Sequence, residues 1–254
     1  MIVIEPKEIS SIPVLQVVQQ SQQEAPLPLI IFIHGFTSAK EHNLHFAFSL
    51  AQKGYRVLLP DMLHHGERME SLKENERVYS FWEIVLQGIA DVQTLVDHLQ
   101  SQHLIKEQRI GLAGTSMGAI ITFGALAHYD YIKAAVTLMG TPAYEAFTKG
   151  QLEKMKQQEG SFPLSPSVIQ HVLKSIAPYD VTQQLEQFKE IPLLIWHSKV
   201  DPVVPYSQSR SFYKEIEKQY RNKNQLRYMS DETSGHKVSR EAYLEAVAWF
   251  NQYL

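Results

Sequence analysis

The chain has 254 residues, 44% apolar and 20% charged, the balance of an ordinary globular protein. That length suffices to bury about 70–75% of the unfolded surface without a disulfide or metal staple. The 24 Lys and Arg against 27 Asp and Glu leave a formal charge of −3 with no long run of one sign, so nothing favours nucleic acid or an anionic membrane. Cysteine is absent, which excludes disulfides, thiolate catalysis and cysteine-based zinc sites and leads to the expectation of a reducing, cytoplasmic setting.

In chain order, the first twenty residues lack a basic stretch leading into a long apolar core, so no cleaved signal peptide is expected. No run approaches about 18 apolar residues, so no membrane span is expected. Residues 2–5 and 12–18 read as antiparallel edge strands. Short, continuously apolar runs follow at 29–34, 56–60, 109–113, 134–139, 192–197 and 225–229, as in strands covered by helices on both faces. Helical patterns lie between them, at 40–53, 80–100, 117–128, 206–220 and 239–253. The clearest, 80–100, carries Phe81, Ile84, Val85, Val92, Leu95, Val96 and Leu99 as one apolar stripe, with Ser80 and Glu83 spaced as a capping box. This alternation predicts one α/β domain over 1–254, a doubly wound, mostly parallel sheet of about eight strands. Residues 141–190 break the rhythm. They are polar, hold Pro142, Pro163, Pro166 and Pro178, and read as a short helical cap inserted over the carboxyl edge of the sheet.

Within RIGLAGTSMGAI, Gly114-Thr115-Ser116-Met117-Gly118 matches G-x-S-x-G between a predicted strand and a predicted helix, the context a nucleophile elbow requires. The flanking glycines are needed where a side chain would strike the neighbouring strand or helix, and the serine must hold strained backbone angles. A serine hydroxyl needs a base, normally a histidine oriented by a carboxylate. Asp201 follows the strand ending near Trp196, in a turn stiffened by Pro202 and Pro205. His236 follows the next strand on a loop opened by Gly235. Asp180 and Asp231 are rival carboxylates.

These segments, with His34-Gly35-Phe36-Thr37 and Asp61-Met62-Leu63-His64-His65-Gly66-Glu67 after the two preceding parallel strands, resemble the α/β-hydrolase family over nearly the whole chain. The likeness is to bacterial serine carboxylesterases related to the dienelactone-hydrolase and prolyl-oligopeptidase branches. The resemblance implies Ser116 as nucleophile, His236 as general base and acid, Asp201 as the orienting carboxylate, and the backbone N–H groups of Phe36 and Met117 as oxyanion hole. Two positions depart from the pattern. Dienelactone hydrolases carry cysteine where this chain has Ser116, and many relatives carry glycine at the position of His64.

The expected function is hydrolysis of small carboxylic esters through an acyl-enzyme, by a monomer or homodimer. Thioester or peptide cleavage with the same triad is the alternative, and a silent binding protein on the same scaffold a third reading. Phe36, Tyr144, Phe147 and Phe162 are expected to line an acyl pocket, with His34 and Thr37 beside it. His34 is expected to brace its loop, as are Asp61 and His65. Trp82, Trp196 and Trp249 read as core. The histidines, including His42, His45, His64 and His65, show no H-E-x-x-H or supporting carboxylate spacing, and no phosphate-binding glycine motif appears, so neither metal nor cofactor is expected.

Overall fold

A computed structural model of the chain describes residues 1–69, 80–159, 164–188 and 190–254. Eight strands form one sheet in the order β1-β2-β4-β3-β5-β6-β7-β8. They are β1 (Ile2–Ile9), β2 (Ile12–Gln19), β3 (Leu27–Ile33), β4 (Arg56–Pro60), β5 (Ile105–Thr115), β6 (Ile132–Leu138), β7 (Leu193–Ser198) and β8 (Leu226–Asp231). β1 pairs antiparallel with β2, and β2 antiparallel with β4; every other pairing is parallel. The β1–β2 hairpin turns through Ser10 and Ser11, both at positive φ (49° and 64°), as a two-residue turn matched to strand twist requires. Of these two strands only β1 is an edge; β2 lies inside the sheet.

Among the described residues the helices are α1 (Leu44–Gln52), α2 (Phe81–Ser101), α3 (Met117–His128), α4 (Tyr144–Glu159), α5 (Pro166–Ile176), α6 (Tyr206–Ile216) and α7 (Arg240–Tyr253). Strand side chains alternate between two cores. Leu29, Ile31 and Ile33 of β3 join Ile84 and Val92 of α2 and Ile120 and Ile121 of α3. Ile30 and Phe32 face the other way, towards Phe46 and Leu50 of α1 and Trp249 and Phe250 of α7. Every residue of β3 is buried, which is why its apolar run shows no period of two.

Three details differ from the reading of the sequence. β5 starts four residues before 109, through the largely exposed Ile105–Gln108 stretch, whose polar side chains give no hydropathy signal. The 40–53 pattern opens as a tight 3-10 turn (Lys40–Asn43) before α1. Ser80 precedes α2, but its side chain makes no capping hydrogen bond, so the Ser80–Glu83 box does not form. Between β6 and β7 the chain carries α4, α5 and three short 3-10 turns. α5 of that segment packs against α2 and α4.

Candidate active site

β5 ends at Thr115 and α3 begins at Met117, so Ser116 alone turns the chain from sheet to helix. It does so at φ 53° and ψ −114°, a conformation costing a non-glycine residue about 1–3 kcal/mol. The Ser116 N–H donates to the Leu138 carbonyl at 2.8 Å, and its own carbonyl accepts from Ile120 N–H at 3.0 Å. The flanking glycines are steric necessities. A Cβ at Gly114 would lie 2.2 Å from the Gly118 carbonyl carbon, and one at Gly118 would lie 2.2 Å from the Ile33 oxygen. Helix, elbow and β3 therefore meet at backbone contact, and the Ser116 side chain is left on the outer side of the turn.

Two loops past the carboxyl ends of β7 and β8 bring Asp201 and His236 to it. His236 Nε2 lies 2.8 Å from Ser116 Oγ, and His236 Nδ1 lies 2.7 Å from Asp201 Oδ2. The Asp201 carboxyl is fully buried yet saturated with donors. Oδ1 accepts from the N–H groups of Val203 (2.8 Å) and Val204 (3.0 Å), and Oδ2 accepts from His236 and from His197 Nε2 (3.2 Å). Burial alone would raise this carboxyl's pKa; the hydrogen bonds from His197, His236, Val204 and Val203 outweigh it and hold the pKa well below the usual carboxylate range. An ionised Asp201 only accepts, so His236 carries its hydrogen on Nδ1 and turns the Nε2 lone pair to the Ser116 hydroxyl.

His197 is the penultimate residue of β7 and reads in the sequence as one more strand residue. It is fully buried, with Nδ1 2.8 Å from Ser209 Oγ, which is in turn 3.0 Å from the Tyr228 hydroxyl. The rival carboxylates are engaged elsewhere. Asp180 accepts from Glu145 N–H (2.9 Å) and Thr182 N–H (3.0 Å), while Asp231 accepts from the N–H groups of Thr233 and Ser234 in its own turn.

The loop after β3 abuts the elbow: a Cβ at Gly35 would sit 3.5 Å from Ser116 Cβ. Phe36 lies on this loop, and Met117 is the first residue of α3. Two imidazoles lace the loop to the one after β4. His34 Nδ1–H donates to the Gly35 carbonyl at 2.8 Å while Nε2 accepts from Met62 N–H at 3.1 Å. His65 Nδ1–H donates to the Leu63 carbonyl at 2.8 Å while Nε2 accepts from Thr37 N–H at 3.1 Å. An imidazole that accepts from an N–H must be neutral. For His34, burial is the main cause that lowers the pKa from 6.5 to about 4.

Beneath them, Asp61 accepts from Lys40 Nζ (2.6 Å), Lys40 N–H (3.0 Å) and Glu67 N–H (3.0 Å). Burial opposes both charges of the Lys40–Asp61 pair, but their hydrogen bonds prevail: the ammonium pKa is held above and the carboxyl pKa below its ordinary value. His64 sits at φ 57°, a left-handed backbone that suits glycine, which accounts for glycine as the common residue there.

A cavity of about 280 Å³ opens at Ser116. Its lining includes Phe36, Phe81 and Trp82, Ile120, Phe147, Leu152 and Met155 of α4, Ile169 and Val172 of α5, and Val203 and Val204 beside Asp201. Of the residues expected to line a pocket, Phe36 and Phe147 do so and Phe162 lies outside the described residues. Tyr144 is buried behind the wall, its ring 4.8 Å from Trp82 and its hydroxyl donating to the Ile120 carbonyl at 2.5 Å. His34 and Thr37 brace the adjoining loop and do not reach the cavity. Trp82, read as core, packs on the core and faces the cavity as well.

The sheet order, the strand–Ser116–helix turn and the loops past β7 and β8 define the α/β-hydrolase fold. Within it, the chain belongs to the prolyl oligopeptidase family, whose sequence profile matches residues 42–254. It is 44% identical to "Putative esterase YitV" of Bacillus subtilis (strain 168) and 30% identical to "Esterase YjfP" of Escherichia coli (strain K12), each pairing covering 100% of both chains. Among solved structures, TT1662 from Thermus thermophilus matches with a TM-score of 0.76 at 21% identity, over 99% of this chain and 98% of that one. Among the described residues, no group of three or more His, Asp or Glu is placed to hold a metal ion, and no helix is long and apolar enough to cross a membrane.

Proposed function

We propose that this protein is a serine carboxylesterase that hydrolyses small carboxylic esters through an acyl-enzyme on Ser116. The observation that carries this reading is the continuous hydrogen-bond chain from Ser116 Oγ through His236 to a buried, donor-saturated Asp201, at the mouth of an apolar cavity. Ser116 Oγ attacks the ester carbonyl carbon as its proton passes to His236 Nε2, and Asp201 stabilises the imidazolium that forms. The oxyanion is received by the N–H groups of Met117, at the positive end of α3, and Phe36. Each such donor is worth about 3 kcal/mol of transition-state stabilisation. The C–O bond to the alcohol breaks as His236 returns the proton to the leaving oxygen. Water then repeats the sequence on the acyl-enzyme, releasing the acid and restoring Ser116.

In this reading residues 141–190 act as a lid on one hydrolase domain, with α4 and α5 covering the acyl site. The names of the full-length relatives YitV and YjfP support ester chemistry. A cysteine-free chain suits a reducing, cytoplasmic setting. Membership of the prolyl oligopeptidase family favours amide cleavage as the second reading, because the acyl-transfer steps are shared. Incubation with p-nitrophenyl butyrate and its thioester and anilide counterparts, together with labelling by a fluorophosphonate, tests both. The expected result is fastest turnover of the ester, with label on Ser116. Equal turnover by Ser116→Ala, or label on another residue, defeats the mechanism; faster turnover of the anilide makes the protein a peptidase.

A further inference from the structure

The cavity beside Ser116 has a chemical bias that the triad does not specify. Among the described residues its lining holds no Lys, Arg, His, Asp or Glu. Its polar side chains besides Ser116 are Thr148 and Gln151, on one face of α4, and the Thr148 hydroxyl is engaged by the Tyr144 carbonyl at 2.7 Å. A carboxylate or ammonium drawn into this space would lose its water and find no opposite charge among the described lining residues. The volume, about 280 Å³, lies at the lower edge of the roughly 300–1,000 Å³ typical of sites for drug-sized ligands.

The direction of the cavity decides which half of an ester enters it. A leaving alcohol must stand next to His236 Nε2 to receive its proton. Phe36 of the β3 loop and Val203 and Val204 of the Asp201 loop line the cavity and the His236 imidazole does not, so the space opens from Ser116 between those two loops without reaching the ring that protonates the leaving alcohol. The group that enters it is the one that stays bonded to Ser116.

Building on the esterase reading, we propose that the acyl group of the substrate is uncharged, apolar and of medium length, about six to eight carbons, and is held between α2, α4 and α5 while the alcohol remains outside. Half-buried Ile169 and Val172 of α5 line this space, and in this reading their bulk limits acyl length.

The test is kcat/KM for p-nitrophenyl acetate, butyrate, hexanoate, octanoate and decanoate, beside p-nitrophenyl hydrogen succinate as a charged acyl group close in size to butyrate. A gain of about three- to fourfold per added methylene is expected up to hexanoate, with levelling or decline by decanoate. The hydrogen succinate is expected about tenfold or more below butyrate. Methyl esters of the same acids are expected to keep the same acyl order. Ile169→Trp and Val172→Trp, each checked for an intact melting transition, are expected to lower the hexanoate-to-acetate ratio by about fivefold, since each removes room for a methylene or two. A flat acyl profile, hydrogen succinate turned over as fast as butyrate, an acyl order that changes with the alcohol, or a ratio unmoved by both tryptophans overturns the proposal while leaving an esterase. No turnover of any ester, with no label on Ser116, overturns the esterase reading itself.

Discussion

The elbow and the cavity share Ser116 but are built on opposite plans. Around the elbow placement is made largely by backbone: two glycines at which a Cβ would lie 2.2 Å from neighbouring main chain, a serine at φ 53°, and loops held by N–H groups bonded to neutral imidazoles. Around the cavity the described lining comes from the β3 loop, α2, α3, α4, α5 and the Asp201 loop, positions far apart in the chain. The first plan tolerates almost no change because atoms there cannot yield. The second tolerates exchange of one apolar group for another, because burial is roughly proportional to area and indifferent to direction.

The sharpest way to break that contrast is to remove the hydroxyl. Ser116→Ala is expected to lower kcat by up to about 10⁶-fold, as loss of a triad nucleophile does, with a melting temperature close to wild type. Initial rates on p-nitrophenyl butyrate and a thermal melt read both. Next comes Gly118→Ala, whose Cβ must displace the end of β3. A displacement near 1 Å in the catalytic geometry costs about 10²-fold, so kcat is expected to fall by at least that, even in the fraction that folds. A wild-type rate would mean that the backbone around the elbow yields after all.

The neutral imidazoles give a pH test of the polar side. His34 has a folded-state pKa of about 4 against 6.5 in the unfolded chain, so between these values the unfolded state binds the extra proton. Its contribution to stability is therefore fully present above pH 6.5 and declines as pH falls towards 4, by about 3 kcal/mol in all. Urea unfolding at pH 7 and pH 4.5 measures the drop, and His34→Gln is expected to make it shallower. His197→Ala comes next. It removes a hydrogen bond to a buried carboxylate, which is expected to cost about 2–3 kcal/mol of stability and to lower kcat with little change in KM. An unchanged kcat would show that the two valine N–H groups and His236 suffice to hold Asp201. The smallest effect belongs to the cavity: Leu152→Val is expected to change kcat/KM on hexanoate by about threefold at most, with acetate nearly unaffected. A large effect on acetate would erase the distinction between the two regions.

Much of the polar side was legible beforehand because its constraints are local or ordered along the chain. G-x-S-x-G between a strand and a helix announces its own geometry, and Asp201 and His236 are placed by following strands. The helix at 117–128 and the strand at 56–60 match residue for residue. His197 was not legible, since a histidine near the end of a buried strand carries no local sign of the carboxylate four residues on. Tyr144 and Trp82 exchange their expected places, Tyr144 behind the wall and Trp82 upon it, because an apolar stripe states that a side is buried and not what buries it.

By itself, then, the amino-acid order determined the sheet, the elbow and the succession Ser116, Asp201, His236, because period, glycine sterics and loop placement act over a few residues. Only the tertiary structure decided that His236 and Asp201 meet with their hydrogens correctly directed, that His197 completes the carboxylate's partners, and which apolar faces enclose the space beside Ser116. Those outcomes depend on contacts between segments far apart in the chain, 120 residues for Ser116 and His236, and no short pattern encodes how such segments come to rest against one another.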